Sequence, residues 1–139
     1  MKKILIDTDV ILDFFFDRKP FSENSAIILS MCERKQIEGF LTPVIISNTY
    51  YLLRRTAPHI KVIEKLKQLL TITQVLQMNR TVIEGALNSE FKDFEDALQH
   101  YSAVESGEIE AIITRNVKDF KKSELGVMTP ESFVKLMNA

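Results

Sequence analysis

Lys3-Ile4-Leu5-Ile6-Asp7-Thr8-Asp9-Val10-Ile11-Leu12-Asp13 opens the chain with two elements in quick succession. Lys3 to Ile6 holds a short continuous apolar run, which suits a strand buried on both faces. Asp7 to Phe16 stays mostly apolar and reads as a short helix. A fully buried strand followed at once by a helix is the opening of a parallel, doubly covered sheet rather than of a hairpin protein.

The rest of the chain continues that alternation. Arg18 to Phe21 is a loop carrying Pro20. Ser22 reads as the N-cap of a helix whose broad face holds Ala26, Ile27, Ile28, Leu29, Met31 and Cys32 and which ends before Gly39. Gly39 to Thr42 is a second strand candidate. Thr42-Pro43 reads as an N-cap with proline at the first helical position, and that helix runs to about Arg55 before Pro58 breaks it. His59 to Leu70 is helical, with Ile60, Ile63, Leu66, Leu69 and Leu70 in register. Ile72 to Leu76 is rich in β-branched residues and reads as a third strand.

Asn79 caps a helix carrying Val82, Ile83, Ala86 and Leu87. Another helix runs from about Asp93 to Glu105, with Gly107 as its stop. Glu110 to Thr114 is a fourth strand and Val127 to Thr129 a short fifth. Thr129-Pro130 opens the last helix. The expectation is one α/β domain over residues 1–139, a three-layer sandwich around a parallel five-stranded sheet.

Composition removes whole classes. The chain has one cysteine, Cys32, among 139 residues, so no internal disulfide forms and no Cys/His cluster points to zinc. No apolar run approaches the roughly 20 residues that a membrane span needs. Asp7 and Asp9 interrupt the first apolar run too early for a signal peptide, so the expected compartment is the cytoplasm.

In open α/β sheets, ligands bind beyond the carboxyl ends of the strands. The first strand ends at Asp7, with Asp9 two residues on. The fourth ends at Thr114-Arg115-Asn116, followed by Asp119. On the helix from Asp93, the residues Phe94, Ala97, Leu98, Tyr101 and Val104 form the core stripe. Asp93, Asp96 and His100 fall on a neighbouring stripe at its edge. Carboxylates gathered in one pocket repel unless a cation neutralises them. Mg2+ or Mn2+ suits such an all-oxygen set and can activate water against a phosphodiester. Plainer readings stand beside this one. Asp9 and Asp13 are natural caps or solvated groups, Asp93 is a natural N-cap, His100 reads as a satisfied pocket-edge residue, and Asn116 and Asp119 are natural turn residues.

Three segments together resemble the PIN-domain ribonucleases. They are Ile4 to Asp13, then Asp96-Ala97-Leu98 leading to Tyr101-Ser102-Ala103, and Ile112 to Phe120. They occur in that family's order and span nearly the whole chain. The resemblance implies a PIN-like fold and a magnesium- or manganese-dependent endoribonuclease acting through metal-activated water. Many small members are toxins of toxin–antitoxin pairs, which implies a homodimer and a small antitoxin partner. Carried over by position, Asp7 and Asp96 match two family acids. The fourth acid falls at Asn116 or at Asp119, with Thr114 as the hydroxyl residue beside it. Asp7, Asp96 and Asn116 are thus the candidate metal ligands, with Asp93 and Asp119 as further catalytic candidates and Thr114, Asn48 and Asp9 in support.

The sequence departs from that pattern on the helix after the second strand, where Asn48 stands at the position of a glutamate. An amide keeps an oxygen ligand but removes a charge, and Asp93 is the candidate to restore it. That departure, with the amide at Asn116, motivates a rival reading, a catalytically degenerate PIN-like binding module. Asp7-Thr8-Asp9-Val10 also resembles the motif of haloacid-dehalogenase-type phosphatases, but no matching lysine and paired-aspartate motif follows. A receiver domain does not fit, because the third strand ends at Gln77-Met78-Asn79.

The formal net charge is −1, from 18 bases and 19 acids. That excludes nucleic-acid binding by the whole surface. Setting aside Asp7, Asp9, Asp93, Asp96 and Asp119 leaves 14 acids against the 18 bases. Arg54, Arg55, Arg115, Lys118, Lys121 and Lys122 then form an expected basic rim around an acidic pit.

Overall fold

The computed structural model describes residues 1–139. The first strand, β1 (Lys2–Ile6), lies at the centre of a five-stranded sheet. Its Ile4, Leu5 and Ile6 are fully buried, so both faces of the strand are covered. The other strands are β2 (Ile37–Leu41), β3 (Thr73–Val75), β4 (Ala111–Ile113) and β5 (Gly126–Met128). All pairings are parallel, in the order β3-β2-β1-β4-β5. In the central ladder Ile4 stands opposite Ala111, Leu5 opposite Ile112 and Ile6 opposite Ile113.

Seven α-helices flank the sheet: α1 (Thr8–Phe15), α2 (Ser22–Glu33), α3 (Pro43–Leu53), α4 (His59–Ile72), α5 (Arg80–Leu87), α6 (Phe94–Ser106) and α7 (Pro130–Met137). A 3-10 turn covers Val117–Phe120. No helix is long and apolar enough to cross a membrane. From β1 the chain moves outward to β2 and β3, then returns across the sheet to β4 and β5. The strand order therefore reverses between β1 and β4, and the crevice at their carboxyl ends is where this kind of sheet binds ligands.

Several boundaries differ from the sequence expectation. Ser22 is not an N-cap. It is the first residue of α2, and its hydroxyl donates to Asp17 Oδ1 at 2.8 Å while Phe21 occupies the cap position. α2 stops at Glu33 and Lys35 takes a left-handed conformation, φ 60°, which turns the chain early enough for Ile37 to begin β2. Ile72 belongs to α4, so β3 is only three residues long. The caps at Thr42, Asn79, Asp93 and Thr129 each accept a helix N–H, and Gly107 closes α6 at φ 68°.

Gly39 in β2 is required by close approach. A Cβ there would lie 2.6 Å from Cys32 Sγ and 2.9 Å from Ile6 Cδ1. Gly39→Ala is expected to lower stability by about 1–3 kcal/mol through overpacking. Urea denaturation checks this, and an unchanged midpoint would show that α2 yields freely.

Candidate active site

Asp7 follows directly on β1 and is both the end of a strand and the N-cap of α1. Its backbone N–H donates to Ile113 O at 3.0 Å, which ties it to β4. Its Oδ1 accepts from Thr8 N at 2.8 Å, and its Oδ2 accepts from the Thr114 hydroxyl at 2.8 Å. Thr114 is fully buried at the end of β4, and its backbone N–H is held by Met128 O. The two strand ends thus fix one carboxylate between them. Asp7 is only 7% exposed, and that burial is the main reason its carboxyl lies above the usual range. The hydroxyl of Thr114 and the N–H of Thr8 oppose the shift.

Asp9 and Asp13 leave α1 in other directions. Asp9 Oδ2 accepts from Arg115 N at 3.0 Å and from Asn116 Nδ2 at 3.2 Å, so it pins the loop after β4. Burial and the neighbouring Asp7 push its carboxyl up to about 6. Asp13 is fully buried, which overturns its reading as a cap or a solvated group. Arg115 donates to it twice, Nε to Oδ2 at 2.6 Å and Nη2 to Oδ1 at 3.0 Å, and lies over the Phe21 ring at 4.1 Å. Arg115, unlike the lysines of the expected rim, is thus held by a buried carboxylate.

α6 brings the second group. Asp93 is its N-cap, accepting from Asp96 N at 3.0 Å, so the capping reading holds. Asp93, Asp96 and Asp119 line one cleft of about 220 Å³ with Lys92, Lys118, Lys121 and Lys122. Asp96 has its carboxyl pushed up to about 7, first by burial and then by the negative charges of Asp93, Asp7, Asp119 and Glu95. Asp93, Asp96 and Asp119 share the cleft, and Asp7, at the end of β1, lies near enough for its charge to act on Asp96. Asn116 does not face it. Its amide is turned onto Asp9, so of the two positions 116 and 119 it is Asp119 that reaches the cleft.

The remaining candidates divide cleanly. Lys118, Lys121 and Lys122 border the acidic cleft, with Lys122 also 3.7 Å from Glu90. Arg54 and Arg55 follow the last turn of α3, nearly two helical turns beyond Asn48, and Arg54 donates to Ala57 O at 3.0 Å. They do not line the cleft. His100 is buried, shares a hydrogen bond with the Ser123 hydroxyl at 3.0 Å and packs on Phe91, as a satisfied histidine does. Burial holds its pKa down. Asn48 donates through Nδ2 to Glu95 Oε1. Glu95 escaped the sequence reading because Asp93 and Asp96 absorbed the polar edge of α6. Gln99 escaped it as well. It is fully buried beside Asp7, and neither of its amide atoms forms a complete hydrogen bond.

The donor set is all oxygen, as Mg2+ and Mn2+ prefer. No three His, Cys, Asp or Glu side chains converge into a ready-made cage. Mg2+ keeps several waters and binds through one or two carboxylates, so a closed cage is not required. Carboxyl groups lifted by burial, and further by each other's charge, are what a cation would relieve, and the residues present fit such an ion.

The raised Asp96 carboxyl has a consequence for stability. Its folded pKa of about 7 lies above the ordinary 3.8, so the native state holds the proton more tightly. The contribution is most favourable below pH about 4 and is lost as pH rises through about 7. Without divalent ions, Asp96→Asn is expected to stabilise the protein at pH 8 by about 1–2 kcal/mol, discounted for partial exposure, and to change little at pH 4. Melting curves in chelator at the two pH values check this. A lower melting temperature at pH 8 would contradict it.

The PIN domain family model matches residues 3–118. The chain belongs to the PIN domain family. Solved PIN-type structures share its fold. A toxin–antitoxin complex chain from Klebsiella pneumoniae superposes with a TM-score of 0.68 at 22% identity, over 91% of this chain and 97% of that one. A chain of VapBC2 from Rickettsia felis, bound to a promoter DNA fragment, gives 0.67 at 14% identity over 91% and 98%. VapC20 of Mycobacterium tuberculosis, described as a sarcin-ricin loop cleaving toxin, gives 0.60 at 16% identity over 78% and 86%. No curated protein sequence matches the chain. Within a PIN fold, the Asp9 carboxylate turned onto the backbone of Arg115 is not placed to serve as the general acid of a phosphatase.

Proposed function

We propose that this PIN-domain protein is a cytoplasmic, divalent-metal-dependent endoribonuclease and the toxin of a toxin–antitoxin pair, working as a homodimer of the single domain 1–139. The observation that carries the reading is the cleft that gathers Asp96 and Asp119 beside lysines, with the buried Asp7 at the end of β1 close enough to add its charge. Asp7, Asp96 and Asp119 would hold Mg2+ or Mn2+. Such an ion, when bound, favours attack by water at neutral pH and neutralises charge on the phosphodiester. The protein's own part is positional. Thr114 and Thr8 fix both oxygens of Asp7, Asp93 caps α6 so that Asp96 projects from a rigid first turn, and Asp9 holds the loop after β4.

Lys118, Lys121 and Lys122 would grip RNA phosphates beside the acidic cleft. Substituting all three by Ala is expected to weaken RNA binding and lower its salt slope by about 2, at ~0.7 per phosphate contact on a single strand. Filter binding across a salt series checks this, and salt-independent binding would contradict it. Sedimentation should give twice the 16.0 kDa of one chain.

The direct experiment is calorimetric titration with Mg2+ and Mn2+ beside RNA cleavage with and without chelator. Binding plus chelator-sensitive cleavage supports the reading. No binding at millimolar metal would favour the second reading, a binding module without catalysis, which Asn48 in place of a carboxylate motivates. A small reading frame beside the gene is the place to look for the antitoxin.

A further inference from the structure

Asn48 brings no charge to the face of α3 that meets α6, but a carboxylate meets it there. Glu95, in the first turn of α6, accepts from Asn48 Nδ2. It is half-buried, and its carboxyl is raised by burial and then by Asp93 and Asp7. The Asn48 contact sets this carboxylate in the seam between α3 and α6. Glu95 and Asp96 are consecutive and about 100° apart round the helix, so they leave α6 in different directions.

A separate feature marks the space beside Asp7. Gln99 lies one turn after Glu95 on the same face of α6. It is fully buried against Asp7, near enough for its amide to help hold that carboxylate, and neither amide atom makes a hydrogen bond of full geometry. A buried, under-satisfied amide beside Asp7 marks this face of α6, one turn from Glu95, as the one that carries polar groups toward the end of β1.

We propose that Glu95 supplies the second carboxylate of the metal pocket from α6, in place of one on α3, and that Asn48 is the positioning residue that holds it. The inference rests on the metal-dependent reading of this cleft and names the residue that completes it. The net result is an exchange: the amide sits on α3 and the carboxylate on α6, and the pocket keeps its charge. Asp93, committed to capping α6, is not needed to restore it.

The test is Mn2+ affinity, measured on the full chain by calorimetry and by the electron paramagnetic resonance signal of free Mn2+. Glu95→Gln is expected to weaken binding at least about tenfold. Adding Asn48→Glu to Glu95→Gln is expected to recover most of the lost affinity, because it returns a carboxylate to the facing position. Glu95→Gln should melt no lower than the parent protein without metal, since it removes a repulsion. Affinity unchanged in Glu95→Gln but lost in Asp7→Asn would overturn the proposal and leave the metal reading intact. Failure of Asn48→Glu to restore binding would also overturn it. No Mn2+ binding by the parent protein would remove both.

Discussion

Asp7→Asn is expected to lower metal-dependent RNA cleavage at least about a hundredfold, since loss of an electrostatic anchor worth several kcal/mol costs a factor of ten for each ~1.4 kcal/mol. The substitution is nearly isosteric. The amide oxygen of Asn still accepts the Thr8 N–H, so the cap of α1 survives, and its NH2 donates to the Thr114 hydroxyl, whose own proton turns to Asp9 Oδ2, 3.4 Å away. What disappears is one buried negative charge. Burial already makes that charge unfavourable, so the variant is expected to melt at or above the parent temperature in chelator. Activity and stability should therefore move in opposite directions, which a merely structural aspartate would not produce. The measurements are RNA cleavage with Mn2+ or Mg2+, the calorimetric metal signal, and a melting curve. Cleavage undiminished in both Asp7→Asn and Asp96→Asn would place the chemistry elsewhere.

Arg115→Ala is expected to cost about 3–5 kcal/mol, the usual penalty for stranding one member of a buried ion pair. Asp13 has no solvent exposure, and Arg115 supplies both of its short contacts. Arg18 stays 3.6 Å away and puts the expected loss near the lower end. The same guanidinium covers Phe21, so truncation also exposes that ring. Replacing both partners, as Asp13→Asn with Arg115→Met, should cost much less than Arg115→Ala alone, because no uncompensated charge remains. Urea denaturation of the three variants measures this. A mild loss in Arg115→Ala, with weakened RNA binding, would instead return Arg115 to the phosphate rim.

The order of elements was legible because the central strands are largely buried on both faces and most of the helices have a capping side chain. Ile4 to Ile6, Ile112 with Ile113, and the caps at Thr42, Asn79, Asp93 and Thr129 are local signals. Boundaries were less legible where tertiary contact overrides a local preference. Ser22 has the chemistry of a cap but is drawn to Asp17, and Ile72 is β-branched yet completes α4. Neither competition can be weighed without knowing which partner is near.

The site divides in the same way. Asp7, Thr114, Asp96 and Asp119 could be proposed from sequence because strand ends and a helix edge have known places in a parallel sheet. Asn116 and Asp119, three residues apart in one turn, were both offered for the fourth acid, and Asn116 was the one taken as a metal ligand. The fold separates them, turning Asn116 onto Asp9 and Asp119 into the cleft. Arg115 and the lysines were also equivalent as charges in a list. Only the folded chain sets Asp13 behind Arg115 and leaves Lys118 and Lys121 beside the carboxylates. Glu95 was invisible because its partner, Asn48, lies 47 residues away. Period and capping act over a few residues, so sequence alone settled the element order and the parallel sheet. Charge pairing acts through space, so the tertiary structure decided which acids face the pocket and which bases are free to meet a phosphate.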